Sequence, residues 1–404
     1  MPVLVIYNPV CGDSNAGTFF KDHVFPLLHK FSITIDKTVC TESAGHAGNT
    51  VVEFLQTHEE DTSIILGSGD GTLHEIINAI SSITFKKTGE RVPTSAIRFV
   101  LVPCGTANAL YSSLFPPDDD ESPSYRLKSL DAYLVGSSAT PLTLAFTTLS
   151  PSSTFSPPLT TISAVVTSTA LHASILHDSE SLRKEIPGID RFKSAARKNI
   201  TRWYHSSVRL LPTSIGRVEI YDPNTKSFIP HMDSCEGDPN VEMQGPFVYF
   251  LSTVNVDRLE TNFAISPLTR SIPPKHTSLD LVIIRPNRDP VYNTQTDIQQ
   301  RRVLFANKTA QVLSAAYQAG NHVNLRYGED GEVITGGNGL TVVEYIRCGG
   351  WEWIPEDIDE KAHLLCSDGT IFNINKGEKA VCVASRPKEN AGFSVYVPKE
   401  VLIQ

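Results

Sequence analysis

No apolar run in this 404-residue chain approaches the roughly 20 residues that a membrane-spanning helix needs. Positive charge is also short: 35 Lys and Arg stand against 44 Asp and Glu, leaving a net charge of −9. That balance argues against nucleic-acid binding and against a broad basic membrane patch, while leaving room for a substrate drawn from a membrane. Cysteines number seven, an odd count with no CxxC pair, which argues against a disulfide framework or a structural zinc site and fits a reducing compartment. The opening Met1-Pro2-Val3-Leu4-Val5-Ile6-Tyr7 has no basic leader and reads as a buried strand, not a signal peptide. No myristoylation or prenylation signal is apparent. A GxxxxGK[ST] loop is missing, no GxGxxG follows the first strand, and no internal repeat appears.

What is there centres on one stretch, Ile64-Ile65-Leu66-Gly67-Ser68-Gly69-Asp70-Gly71-Thr72-Leu73-His74-Glu75. An apolar run stops at a glycine cluster, and an amphipathic run with Leu73, Ile76, Ile77 and Ile80 follows. The pattern predicts strand, tight loop, helix N-terminus. Gly67, Gly69 and Gly71 are expected to take backbone angles closed to other residues and to let a ligand approach bare amides. Such amides and the helix dipole favour a phosphate. Asp70 inside the cluster then suggests metal contact or proton abstraction from a hydroxyl. An N-cap role for Asp70 fits the same residues.

The rest of the chain falls into two textures. Val3 to Tyr7 reads as a parallel strand buried on both faces. Turn formers from Asn8 to Gly17 follow, then an amphipathic helix from Phe19 to Leu28, interrupted near Pro26. Ile33 to Val39 alternates like a strand, and Thr41 to Ala47 leads into a helix carrying Val51, Val52, Phe54 and Leu55. After the glycine stretch and its helix comes the strand Ile97 to Val102, ending in Pro103-Cys104-Gly105-Thr106-Ala107-Asn108-Ala109-Leu110. Strand and helix alternate four times, which predicts a parallel sheet with binding loops at the carboxyl ends of its strands. Beyond about Gly136 the pattern is β-rich. Strands are expected at Leu142–Leu149, Leu159–Thr167, Val218–Tyr221, Phe247–Thr253, Leu279–Arg285, Leu340–Cys348, Ala362–Cys366, Thr370–Ile374 and Ala380–Ser385. Ser179 to Arg202 reads as charged and mostly helical, broken at Pro187-Gly188. Ser150–Pro158, Asp222–Gln244 and Pro286–Arg302 read as loops. Many strands with few helices suggest an antiparallel sandwich. The expected division is 1–136 for a nucleotide-binding domain and 137–404 for a β-rich lipid-binding domain, with room for the last residues to return to the first.

Three loops share one character: Asn8-Pro9 with Gly12, Gly69-Asp70-Gly71-Thr72, and Gly105-Thr106-Ala107-Asn108. Each follows a predicted strand, and on adjacent parallel strands they would converge at one sheet edge, suiting a nucleoside triphosphate. NPxxG, SGDGTLHE and PCGTANAL, in this order and spacing, resemble the diacylglycerol kinase and sphingosine kinase superfamily, distant relatives of the NAD kinases. Weaker matches continue at Asp178-Ser179-Glu180-Ser181-Leu182-Arg183, at Phe263 to Leu268, at Leu279 to Arg285 and at Ser367-Asp368-Gly369.

The resemblance implies an α/β, NAD kinase- and lipid kinase-like first domain and a β-sandwich second domain. It also implies roles. Asp70 matches the acid that deprotonates the lipid hydroxyl. Asn8, Pro9 and Val10 match a nucleotide-contacting turn, and Thr41 and Gly45, beside His46, match a second nucleotide-side contact. Gly69, Gly71 and Thr72 belong to the phosphate loop of Asp70, Glu75 matches an acid on the following helix, and Gly105, Thr106 and Ala107 match a third phosphate loop. Arg183 and Arg191 match basic residues that reach the nucleotide, and Asp368-Gly369 matches a late DGE turn. ATP and Mg2+ are the implied cofactors, with no metal ligand assigned. The implied setting is cytoplasmic, peripheral at intracellular membranes, with a lipid substrate and transient membrane association; oligomeric state stays open. Plainer readings stand beside these. Arg183 and Arg191 also suit a solvated helix face, His46 and His74 a helix start or packing, Asp178 a cap or surface acid, and Thr41 a helix cap.

Two departures bear on substrate. Thr370 stands where the late motif has Glu, which loses a carboxylate and opens the reading of a nucleotide-binding regulator with weak kinase activity. Sphingosine kinases place an acid just before the DSE-like run to pair with the lipid amine, and here Ser174 and Leu176 occupy those positions. That gives weight to ceramide or diacylglycerol. The second-domain pattern and the lack of a C1 zinc finger still look closer to the sphingoid-base kinases. The long β-rich second domain speaks against an NAD kinase.

Overall fold

The computed structural model describes residues 1–398, leaving aside 59, 118–121, 151–157, 184, 187, 189, 236, 293–296 and 387–390. The chain divides into two compact units. The first is Met1–Thr143 with Leu259–Thr261 and the described residues from Arg386 on; the second is Leu144–Arg258 with Asn262–Ser385.

In the first unit, β1 (Val3–Tyr7), β2 (Lys37–Cys40), β3 (Thr62–Ser68) and β4 (Ala96–Pro103) alternate with helices α1 (Ala16–Phe19), α2 (Phe25–Lys30), α3 (His46–Thr57), α4 (Asp70–Thr88), α5 (Ala109–Leu114) and α6 (Pro123–Leu134). The sheet order is β2, β1, β3, β4, then Gly392–Tyr396 and Ala139–Pro141. The first five strands run parallel, and Ala139–Pro141 is antiparallel. Every residue of β3 is buried, as a central strand covered on both faces requires. The strand expected from Ile33 is shorter. Ile33 donates its amide to the Leu28 carbonyl at 2.9 Å, finishing the preceding helix, and only Lys37–Cys40 pairs with β1. The interruption near Pro26 takes the form of a π-turn, Phe20–Val24, between α1 and α2. Proline has no amide to continue the ordinary ladder.

The second unit is built from two large antiparallel sheets, with a small hairpin of Leu325–Tyr327 and Val333–Thr335 beside them. One runs Ser227–Pro230, Glu219–Asp222, Glu344–Cys348, Leu279–Ile284, Tyr249–Thr253, Val166–Thr169, Leu364–Ser367, Thr370–Asn373. The other runs Val241–Gln244, Ser206–Leu211, Gly350–Pro355, Ala380–Ser385, Leu144–Leu149, Leu159–Ser163. They face each other as a sandwich. The Trp351 indole donates to the Ser252 hydroxyl at 3.1 Å, and the Phe250 ring lies 5.1 Å from that of Trp353. Elsewhere the shared interior is polar: the Ser367 hydroxyl lies 3.0 Å from that of Thr161 and 2.6 Å from that of Ser163.

Two expected loops carry regular structure. Within Asp222–Gln244, Ser227–Pro230 forms a hairpin with Glu219–Asp222, and Val241–Gln244 is an edge strand with Val241 and Met243 inward. Within Pro286–Arg302, Asp297 caps a 19-residue helix, Ile298–Ala316, by accepting the Gln299 amide at 2.8 Å. Its polar first turns hid the apolar period of Phe305, Ala306, Thr309, Val312, Ala315 and Ala316. The charged stretch from Ser179 resolves into the end of α7 (Ala170–Ser181) and all of α8 (Asp190–Asn199). Most of the expected Ser150–Pro158 loop, and Pro187 of the helix break, lie outside the described residues.

Candidate active site

The site begins where β3 meets α4. The expectation of special backbone angles fails here: Gly69 has φ −104°, and its side of the junction is shaped by space instead. A Cβ on Gly67 would sit 2.2 Å from the Phe20 ring. A Cβ on Gly105 would sit 2.5 Å from the Gly69 Cα, and one on Gly12, at φ +54°, would sit 2.3 Å from the Cys104 carbonyl. Absent side chains therefore let the three loops touch: the first packs on the third through Gly12, and the second packs on the third through Gly69. Around Gly71 nothing lies within 4 Å of an added Cβ, so its backbone faces open space.

Carboxylates on α4 organise the neighbouring helices. Asp70 accepts the Ala109 amide at 2.6 Å and the Leu110 amide at 3.2 Å, capping α5 from another helix. Glu75 accepts the Gly48 amide at 2.8 Å, capping the first turn of α3 in the same way. Each satisfies donors that a helix start leaves orphaned. The cap reading of Asp70 thus holds in an altered form, with the capped helix being α5 and not its own. Asp70 is only half-buried and borders a small pocket with Ser68, Gly69, Leu73, Pro103 and Asn108.

Not all of the expected bare amides are bare. Asn8 donates to the Gly67 carbonyl, Val10 to the Asn8 side chain, Thr72 to the Gly69 carbonyl and Gly105 to the Asn108 side chain. Among the described residues, the amides of Gly71, Thr106 and Ala107 have no partner. These three sit on two touching loops at a helix start, where an anion is favoured. Asn108, at φ +49°, was missed as a positioning residue: its side chain accepts from Gly105 N at 2.9 Å and donates to Gly105 O at 2.8 Å, closing the loop. The signal was Asn following three small residues before a helix.

The remaining candidates are spread out. Thr41 is buried and donates its amide to the Tyr7 carbonyl, so it does not cap the helix; Gly45, at φ +84°, is the N-cap of α3. His46 accepts the Glu42 amide at 3.0 Å, and His74 packs in the core beside Asn78. Val10 is 77% exposed at the loop tip, next to Pro9.

In the second unit, Arg183 pairs with Glu180 at 3.1 Å with both side chains largely exposed. Arg191 is buried and donates to the Gly188 carbonyl at 2.8 Å. Asp178 is neither a cap nor a surface acid: it binds Lys361 at 2.7 Å, Asn199 at 2.8 Å and His177 at 2.8 Å. Burial opposes its charge, but these partners prevail and hold the carboxyl well below its ordinary range. Asp368 and Gly369 make a two-residue hairpin turn at φ +45° and +94°. The buried Asp368 carboxylate accepts the amides of Ala164, Val165 and Val166 at 2.7, 3.0 and 2.7 Å. Thr370 after it is exposed.

The geometry of the first unit meets an independent match. The family model of the diacylglycerol kinase catalytic domain covers residues 2–133. Residues 2–133 thus resemble a diacylglycerol kinase catalytic domain. The matched segment contains all three loops, Asp70 and Glu75. Human sphingosine kinase 2 is 31% identical over 108 residues, which is 27% of this chain and 15% of that protein. Human sphingosine kinase 1 is 32% identical over 112 residues, 28% of this chain and 27% of its own length. Mouse mitochondrial acylglycerol kinase is 28% identical over 111 residues, 28% of this chain and 24% of its own length. The chain thus aligns with about a quarter or less of each relative.

Proposed function

We propose that this chain is an ATP-dependent lipid kinase. The observation that carries the reading is the meeting of three glycine loops around Asp70, with the orphaned amides of Gly71, Thr106 and Ala107 beside it. Phosphoryl transfer asks mainly for positioning and for neutralised charge. The orphaned amides hold phosphate oxygens. Asp70 accepts the proton of the acceptor hydroxyl, the hydroxyl oxygen bonds the γ-phosphorus, and ADP leaves with the bridging oxygen. Mg2+ would be held mainly by the nucleotide's phosphates, with Asp70 the nearest carboxylate, and would supply charge neutralisation. The match to sphingosine kinases supports a sphingoid base as acceptor, with the β-rich second unit as the lipid-binding part. Diacylglycerol and ceramide are the alternatives, supported by the uncharged Ser174 and Leu176. No helix among the described residues is long and apolar enough to cross a membrane; the proposed encounter with lipid is transient and peripheral, on the cytoplasmic side.

The deciding experiment offers sphinganine, ceramide and diacylglycerol side by side with labelled ATP. Label in sphinganine alone supports the first reading, and label in another lipid moves the substrate. ATP binding with no labelled lipid favours a regulator with weak kinase activity, the reading that Thr370 motivates.

A further inference from the structure

Two cysteines lie where the first loop packs on the third. Cys11 is half-buried among exposed residues 12–15, and Cys104 is buried at the end of β4. Cys11 packs against the apolar cluster that holds Cys104, and a Cβ on Gly12 beside it would sit 2.3 Å from the Cys104 carbonyl. The Arg126 guanidinium donates to the Cys104 sulfur at 3.0 Å and to the Pro103 carbonyl at 3.0 Å, and it stacks 3.8 Å over the Phe19 ring. The Cys11 thiol also reaches the Asn8 carbonyl at 3.0 Å, and Ser68 stands beside it. Asp13 is the nearby acid. Cys11, and then Arg126, draw the Cys104 thiol below its ordinary value against burial and against Asp13, while Cys11 is pushed up. A fixed cation on the sulfur of one of two neighbouring cysteines favours its thiolate, the reactive form.

We propose that Cys11 and Cys104 form a reversible disulfide that clips the first loop onto the third when the protein meets a hydroperoxide. The Cys104 thiolate attacks the peroxide, the O–O bond breaks, and an alcohol or water leaves, giving a sulfenic acid. The Cys11 sulfur then attacks that sulfur, the S–S bond forms, the S–O bond breaks, and water leaves with the Cys11 proton. Two thiols are oxidised to one disulfide, and the peroxide takes up both electrons. Thiol reductants reverse it, which fits a chain with otherwise free cysteines.

The other cysteines serve as internal controls. Cys366 and Cys382 are pushed up to about 12 by burial, and Cys40 and Cys235 are exposed, with no cation on the sulfur among the described residues. The full chain is treated with hydrogen peroxide, its remaining thiols are alkylated, and the peptides are mapped without reduction, with and without dithiothreitol. The expected result is a Cys11–Cys104 peptide that dithiothreitol releases, with Cys40 and Cys235 still mostly alkylated. In Cys11→Ser, Cys104 should stop at a sulfenic acid that dimedone traps. Both cysteines recovered as free thiols, or Cys11 linked elsewhere, overturns the proposal. ATP binding measured on the same samples keeps it separate from the kinase reading. A link formed in a chain that never binds ATP leaves the thiol pair standing and sinks the nucleotide site; ATP binding without the link sinks the pair alone.

Discussion

Asp70 and Asp368 are each an aspartate followed by glycine, at the end of a strand, with the carboxylate turned onto backbone amides of another segment. They differ in what is left over. Asp368 is buried and holds three amides of the turn between Leu159–Ser163 and Val166–Thr169. Asp70 holds two, is half-buried, and borders a pocket beside orphaned amides. A buried carboxylate matched by several donors is structural, and removing it strands each donor at about 1–3 kcal/mol. A half-buried carboxylate at a pocket can also do chemistry. The same dipeptide thus sits in two settings, one enclosed by donors and one bordering a pocket.

Substitution is the way to break that contrast. Asp70→Asn should lower lipid phosphorylation by about a hundredfold or more, the usual weight of a general base, with the chain still folded. Unchanged turnover would remove Asp70 from the chemistry. Asp368→Ala should instead cost the second unit about 3 kcal/mol or more in denaturant unfolding, with faster amide exchange at 164–166. ATP affinity should hold, and a large loss there would make Asp368 more than a turn anchor. Gly105→Ala pushes a Cβ to 2.5 Å from the Gly69 Cα and should weaken ATP binding by about tenfold, read by titration calorimetry.

Acid supplies a subtler probe. The Asp178 carboxyl is depressed below its ordinary 3.8, so its contribution is complete above that value and is lost as pH falls through the lower folded value. Asp178→Asn should lower stability near neutrality by about 1–2 kcal/mol, with the gap to the parent closing below about pH 4. A constant gap across that range would contradict the ion-pair account. The smallest effect belongs to Thr370→Glu, whose exposed side chain should leave stability within about 0.5 kcal/mol. A rise in turnover from this variant would support the weakened-kinase reading.

The first unit was largely legible because its signals are local. Apolar runs ending in glycine, asparagine or proline mark strand ends, and helical periodicity follows each. The second unit was legible only as β-rich. Its helix at Ile298–Ala316 begins with Gln299, Gln300, Arg301 and Arg302, which mask the apolar stripe until Phe305. The three loops do meet, but by a different cause than expected: glycine was expected to supply unusual angles, and it supplies close approach between loops. Contact between segments 36 residues apart, as with Gly69 and Gly105, leaves no mark in local pattern.

In the first unit, the order of elements, the parallel sheet and the identity of the loops followed from the residues alone, since each depends on a few neighbours along the chain. Which amides stay unpaired, which helix Asp70 caps, and that Asp368 is enclosed were decided by tertiary packing. Hydrogen-bond partners lie across space, and a carboxylate's role depends on the donors that folding brings to it.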